Sequence, residues 1–318
     1  MKGLYTEKIK TFIKKVRKGM STFDAYFTKG VELYNKKKYE LALEFFTTAL
    51  SQSNAQSYAN YNLALTYQQL HKENEALEFY MKFLSDYPKD YSGLFNTAQI
   101  YYNQNDYENA SKYFFKCFEV NPCEESVRKL TKAYIQDENV DEIFTIIDYI
   151  FNSDNDKRLA YVIAQVFESK KYLMSDMTFI QNAINIYLRL LNLEPENYEY
   201  LYAASVAYSK MGDWTNSIEY GQKALSVNPK SCDANSQVGL VYYCLDDIDN
   251  CIKYYEKAFK YNKKNDYKIY TNLAYAYEKA DRTDEAIELF KQTIIKFSDF
   301  PSKEEIKNHL RQIIKNNN

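Results

Sequence analysis

Arg128, Lys129 and Lys132 fall within the stretch ESVRKLTKAYI, Glu125 to Ile135, at spacings that a helix would gather on one side, with apolar Val127, Leu130 and Tyr134 on the other. Three cations so placed can hold a carboxylate or a phosphate through charge-assisted hydrogen bonds. A solvated helix wall, partly neutralised by Glu125, is the plainer reading of the same residues. Like charges four residues apart destabilise a helix by only about 0.2–0.5 kcal/mol, so the cluster does not by itself demand a ligand.

Other residues that could do chemistry are sparse. The two histidines, His71 and His309, are far apart and neither has a cysteine at ligand spacing, which argues against zinc. There is no GxGxxG and no phosphate-binding loop, so no cofactor is expected. The five cysteines (Cys117, Cys123, Cys232, Cys244 and Cys251) are odd in number and lack a CxxC pair, a pattern of free thiols in a reducing compartment. Acidic residues are scattered over the chain, and no catalytic pair stands out among them. These observations point to a non-enzymatic, cytoplasmic protein.

A net charge of −2 gives no global field for nucleic acid or an anionic membrane, and no run of residues is apolar enough to span a bilayer. Residues 1–22 differ locally. Lys2, Lys8, Lys10, Lys14, Lys15, Arg17 and Lys18 stand against Glu7, with Leu4, Ile9, Phe12, Ile13, Val16 and Met20 on one stripe. This basic amphipathic helix or leader is expected to pack on the element that follows it, with weak contact to a membrane surface or RNA as the alternative.

The elements that position these residues emerge from a 34-residue period. SYANYNLALTYQQLHKENEALEFYMKFLSDYPKD from Ser57 recurs as YSGLFNTAQIYYNQNDYENASKYFFKCFEVNPCE from Tyr91. A small residue falls at position 8 (Ala64, Ala98), Tyr at 11 (Tyr67, Tyr101), Ala at 20 (Ala76, Ala110), an aromatic at 24 (Tyr80, Phe114) and Pro at 32 (Pro88, Pro122). Small side chains at 8 and 20 let two helices cross closely, and rings at 11 and 24 are expected to fill what remains.

This spacing resembles the tetratricopeptide repeat, a helix-turn-helix unit. The resemblance implies an all-α fold, a right-handed α-α superhelix, with eight repeats over 23–300: 23–56, 57–90, 91–123, 124–156, 157–197, 198–231, 232–266 and 267–300. The fourth is degenerate, with Ile143, Ile147 and Ile150 in place of Ala, aromatic and Ala. The fifth carries seven extra residues around 169–179, where Leu173, Met174 and Met177 could form a knob for a partner. After Pro301, Ser302 and Glu305 have capping-box spacing and Ile306, Leu310, Ile313 and Ile314 form a stripe, the mark of a C-terminal capping helix over 301–318.

In the family resembled, the first helix of each repeat lines a concave groove. Carried over by position, that groove presents Phe27, Tyr34, Tyr61, Asn62, Leu65, Phe95, Asn96, Tyr102, Arg128, Lys129, Lys132, Tyr161, Gln165, Tyr202, Val206, Gln237, Tyr243, Asn272 and Tyr275. Asn62, Asn96 and Asn272 share position 6, where relatives such as the O-linked sugar transferases hold an extended peptide by its backbone. The carboxylate clamp of chaperone cofactors is disfavoured, because Phe27 and Val31 stand where its Lys and Asn would lie. The resulting expectation is a protein-interaction scaffold that binds an extended peptide or a partner helix in that groove, an acidic ligand being the one that the cations would suit. The alternative is a structural or self-assembling module that uses its repeat edges and the insertion. The oligomeric state is left open.

Overall fold

The structure is a computed structural model and describes residues 21–52, 57–169, 177–297 and 299–317. Those residues form seventeen helices and no strand. The chain divides into two units, Met1–Leu159 and Ala160–Asn318. The expected N-terminal helix, up to residue 20, and residues 170–176 of the insertion lie outside the described residues.

The first unit holds four helix pairs: α1 Thr22–Asn35 with α2 Tyr39–Gln52, α3 Ser57–Gln69 with α4 Glu73–Asp86, α5 Tyr91–Asn103 with α6 Tyr107–Val120, and α7 Glu124–Gln136 with α8 Val140–Asn152. In the first three pairs the crossing is made by Gly30 with Ala42, Ala64 with Ala76, and Ala98 with Ala110, all buried. Phe46, Tyr80 and Phe114 are wholly enclosed beside them, each contributing roughly 1.5–3 kcal/mol by burial. At Gly30 the approach is closest, since a Cβ there would stand 2.6 Å from the Phe46 ring. In the fourth pair Thr131 and Ile143 occupy the crossing, and the backbones of α7 and α8 lie farther apart than in the other three.

α9 Arg158–Phe167 begins at the boundary, and its rings meet both α10 Thr178–Leu193 (Phe167 to Phe179, centroids 5.5 Å) and Tyr200 of the helix after it. The second unit continues with α11 Tyr198–Met211 and α12 Trp214–Val227, α13 Cys232–Cys244 and α14 Ile248–Lys260, and α15 Tyr267–Lys279 and α16 Thr283–Lys296. α17 Lys303–Asn317 lays Ile306, Leu310 and Ile313 against Leu289, Phe290 and Phe300, closing the apolar face of the last pair. His309 on α17 also meets Glu278 on α15 at 2.7 Å.

One device ends the first helix of seven pairs. The residue at position 15 is left-handed in each: Lys37, His71, Asn105, Glu138, Gly212, Asp246 and Asp281, with φ between 56° and 77°. The next amide then donates back to the carbonyl of position 11 at 2.9–3.0 Å, for example Lys72 to Tyr67 and Asp213 to Tyr208, the closing bond of a Schellman motif. Where that next residue is Asp it also opens the second helix: the carboxylates of Asp106, Asp213 and Asp247 accept from the amides of Asn109, Asn216 and Asn250.

The position-11 tyrosines depart from expectation. Position 24 is core, but Tyr67, Tyr101, Tyr208 and Tyr242 are only half-buried and stack face to face on position 23 (Phe79, Tyr113, Tyr220 and Tyr254), centroids 5.4–5.7 Å apart. Lys82, Lys116, Lys223 and Lys257 cover those second rings at 4.6–5.1 Å. The ring at position 24 already fills the crossing, so position 11 is displaced to the flank, where the quadrupole of its stacking partner attracts an ammonium.

Candidate peptide-binding face

The first helices of the pairs in the first unit carry Tyr61 and Asn62 on α3, Phe95, Asn96 and Tyr102 on α5, and Arg128, Lys129 and Lys132 on α7, all half-buried. Two side-chain bonds tie these helices together on that face. The Asn96 amide donates to the Tyr61 hydroxyl at 3.4 Å, and Lys129 Nζ donates to Gln99 Oε1 at 2.6 Å. The rings are braced from behind by their own second helices: Tyr61 lies 5.7 Å edge-on to Tyr80, Phe95 5.5 Å edge-on to Phe114, and Tyr102 5.3 Å from Tyr107. Such support fixes ring orientation before any ligand arrives.

The amides are engaged within the protein. Asn62 Nδ2 donates to the Tyr58 carbonyl of its own helix at 2.9 Å, so Asn62 and Asn96 must exchange internal bonds for peptide bonds if a peptide binds. Gln99 was passed over in the sequence, although position 9 of its repeat puts it on the same stripe as Asn96 and Tyr102; its link to Lys129 is visible only in three dimensions.

On α7, Val127 and Leu130 are enclosed and Tyr134 is buried, whereas Arg128, Lys129 and Lys132 keep partial exposure. Burial pushes the Tyr134 hydroxyl up to about 12, with nearby Glu142 and Asp137 adding to the shift.

Tyr161, Tyr202 and Asn272 belong to the second unit. Tyr161 packs 5.3 Å from Tyr200 and 5.7 Å from Tyr187, and Tyr202 stacks on Tyr198 at 6.1 Å. Burial first, and Asp233 next, push the Tyr202 hydroxyl up to about 12, so it is neutral and a donor near neutrality. Asn272 is half-buried on α15, and two further repeats' worth of chain separates it from Tyr202.

All five cysteines are free. Cys117 is enclosed, and burial pushes its thiol up to about 12, as expected of a packing residue. Burial also raises Cys123, but hydrogen bonds from Ser126 and Tyr91, and from the Ser126 and Glu125 amides, outweigh it and bring the thiol below its ordinary value. Among the described residues no group of three or more His, Cys, Asp or Glu could hold a metal ion, and no helix is long and apolar enough to cross a membrane.

The tetratricopeptide repeat model matches residues 23–56, 57–90, 91–122, 198–231 and 233–265, more than half of the chain, and a second tetratricopeptide repeat model matches 269–296. The chain belongs to the tetratricopeptide repeat family. Between the matched ranges that end at 122 and resume at 198, the structure continues with helices α7, α8, α9 and α10. A TPR repeat-containing protein of Methanocaldococcus jannaschii is 25% identical over 282 residues, covering 70% of this chain and 47% of the relative. The chain thus spans about half the length of the curated relative it matches. Similar solved structures include a tetratricopeptide repeat protein from Parabacteroides merdae (16% identical, TM-score 0.39, 92% of this chain and 98% of that one). Another is MamA protein (20% identical, TM-score 0.37, 69% and 94%).

Proposed function

We propose that this protein is a non-catalytic cytoplasmic scaffold that holds an extended acidic peptide, or an acidic partner helix, on the first-helix face of its repeats. The observation that carries the reading is the continuity of side chains across α3, α5 and α7. Braced aromatics and amides lead from Tyr61 through Asn96 and Gln99 to Lys129, with Arg128 and Lys132 on the same helix. Rings supply apolar area at low entropic cost, amides can read a peptide backbone, and the cations select a carboxylate or phosphate. Tyr161, Tyr202 and Asn272 would extend the same chemistry in the second unit. Five free thiols favour a reducing compartment.

The test is selection from a random peptide library by the full chain, followed by fluorescence anisotropy on the enriched sequences. Acidic peptides should be enriched and bind more weakly as salt rises, and Arg128→Glu/Lys132→Glu should weaken them tenfold or more. Equal affinity of wild type and variant for every enriched peptide would remove the cationic anchor from the account.

A further inference from the structure

Between α14 and the α15–α16 pair lies a cleft of about 420 Å³, lined by none of the residues assigned to the peptide face. Its floor is apolar, with Leu273 and Leu289 buried and Phe259 and Tyr277 half-buried. Its rim is acidic: Glu256, Asp284, Glu285 and Glu288 line it, with no lysine or arginine among the lining residues. Arg282 stacks on the Tyr277 ring at 4.1 Å and bonds Glu285, so one guanidinium already sits beside the cleft and leaves Asp284 and Glu288 as its outer acids. The corresponding cleft between α6 and α8, of about 610 Å³, is neutralised from within, because Lys112 and Lys116 stand among Glu108, Glu119, Asp137 and Glu142 and Lys112 pairs with Glu108 at 2.7 Å. An apolar floor with an unbalanced acidic rim calls for an occupant that has an apolar stripe flanked by cations.

The chain carries such a segment. Residues 1–20 place Ile9, Phe12, Ile13 and Val16 at helical spacing, among seven Lys and Arg and one Glu. We propose that residues 1–20 of one copy dock in the α14–α16 cleft of a second copy, joining copies head to tail. Such a contact is heterologous and leaves a free segment at one end and a free cleft at the other, so assembly grows with concentration. Charge pairing at an exposed rim makes it weaken as salt rises.

The experiment uses two full-length variants, Asp284→Lys/Glu288→Lys in the cleft and Lys14→Glu/Lys15→Glu/Arg17→Glu in the segment, followed by light scattering. All the substituted cleft positions are exposed, and circular dichroism melts confirm that each variant folds. Wild type should gain mass with concentration and lose it in high salt, each variant alone should remain a single chain, and their equimolar mixture should give a one-to-one complex through the intact segment of one and the intact cleft of the other. A chain carrying both sets of changes, with the charges exchanged, should associate again. A wild type that stays a single chain at every concentration, variants that associate like wild type, or a mixture that forms no complex would each overturn the proposal. The first outcome would place the segment on its own molecule.

Discussion

Ser205 and Ser217 exchange hydrogen bonds across the crossing of α11 and α12: each hydroxyl donates to the other residue's carbonyl, at 2.7 and 2.8 Å, and both side chains are wholly enclosed. Other crossings use Gly or Ala opposite Ala, as at Gly30 with Ala42 and Ala274 with Ala286, so polar atoms here are tolerated only because they satisfy each other. Removing one partner should cost about 1 kcal/mol, and replacing both with Ala should cost less than the sum, because the crossing then matches its neighbours. Ser205→Val should be the worst of the set, at roughly 1–3 kcal/mol, by overpacking. Urea unfolding of Ser205→Ala, Ser217→Ala, the double variant and Ser205→Val gives the ranking; additive losses in the double variant would mean that the two hydroxyls act separately.

Gly30 tests close approach at the first crossing. A Cβ at this position meets the Phe46 ring at 2.6 Å, and Phe46 has no exposed side to move toward. Gly30→Ala should therefore destabilise the first pair by roughly 1–3 kcal/mol. Adding Phe46→Leu should recover part of the loss, read as a partial return of the melting temperature. No loss in the single variant would show that α1 and α2 can part without penalty.

Alkaline stability should depend on Cys251. Burial lifts this thiol from an ordinary 9 to about 12, so the folded state favours the protonated form. A group whose folded value is raised contributes stability that is complete below pH 9 and is lost as pH rises toward 12. Cys251→Ala, which places the residue found at Ala42, Ala76 and Ala286, should flatten the fall in melting temperature across that window. A pH profile parallel to wild type would assign the alkaline loss to the buried tyrosines instead.

Position 15 separates backbone strain from packing. At Gly212, φ is 77° and an added Cβ has nothing within 4 Å, so Gly212→Ala should cost about 1–2 kcal/mol through the backbone alone. The converse change at an exposed left-handed residue, His71→Gly, should stabilise by up to about 1 kcal/mol. Chemical denaturation of both variants checks the sign; shifts in the same direction would contradict the account.

The sequence exposed the frame more fully than the flank. Small residues at positions 8 and 20 and the ring at 24 are packing constraints, which restrict side-chain type and so leave a period that can be read. Leu130 is enclosed and Lys132 half-exposed for a related reason, because an ammonium is costly to bury. Position 15 left almost no trace: Lys, His, Asn, Glu and Asp all adopt the left-handed conformation there, and only Gly212 advertises it. The stacks of Tyr208 on Tyr220 under Lys223, and their counterparts, were hidden because position 11 was assigned to the core. On the candidate face, positions identified Arg128 and Asn96, but the Lys129–Gln99 and Asn96–Tyr61 bonds join different repeats and depend on how neighbouring helices lie.

Those seven tight turns matter before the chain is folded. A sequence built from near-copies risks mispairing, in which the first helix of one unit docks on the second helix of another. Reversing the chain within three residues, through a left-handed residue and a backbone bond, makes the helix next in sequence the first one available. Each hairpin can then form from local contacts, which lowers contact order and shortens the time during which identical apolar faces are open to the wrong neighbour.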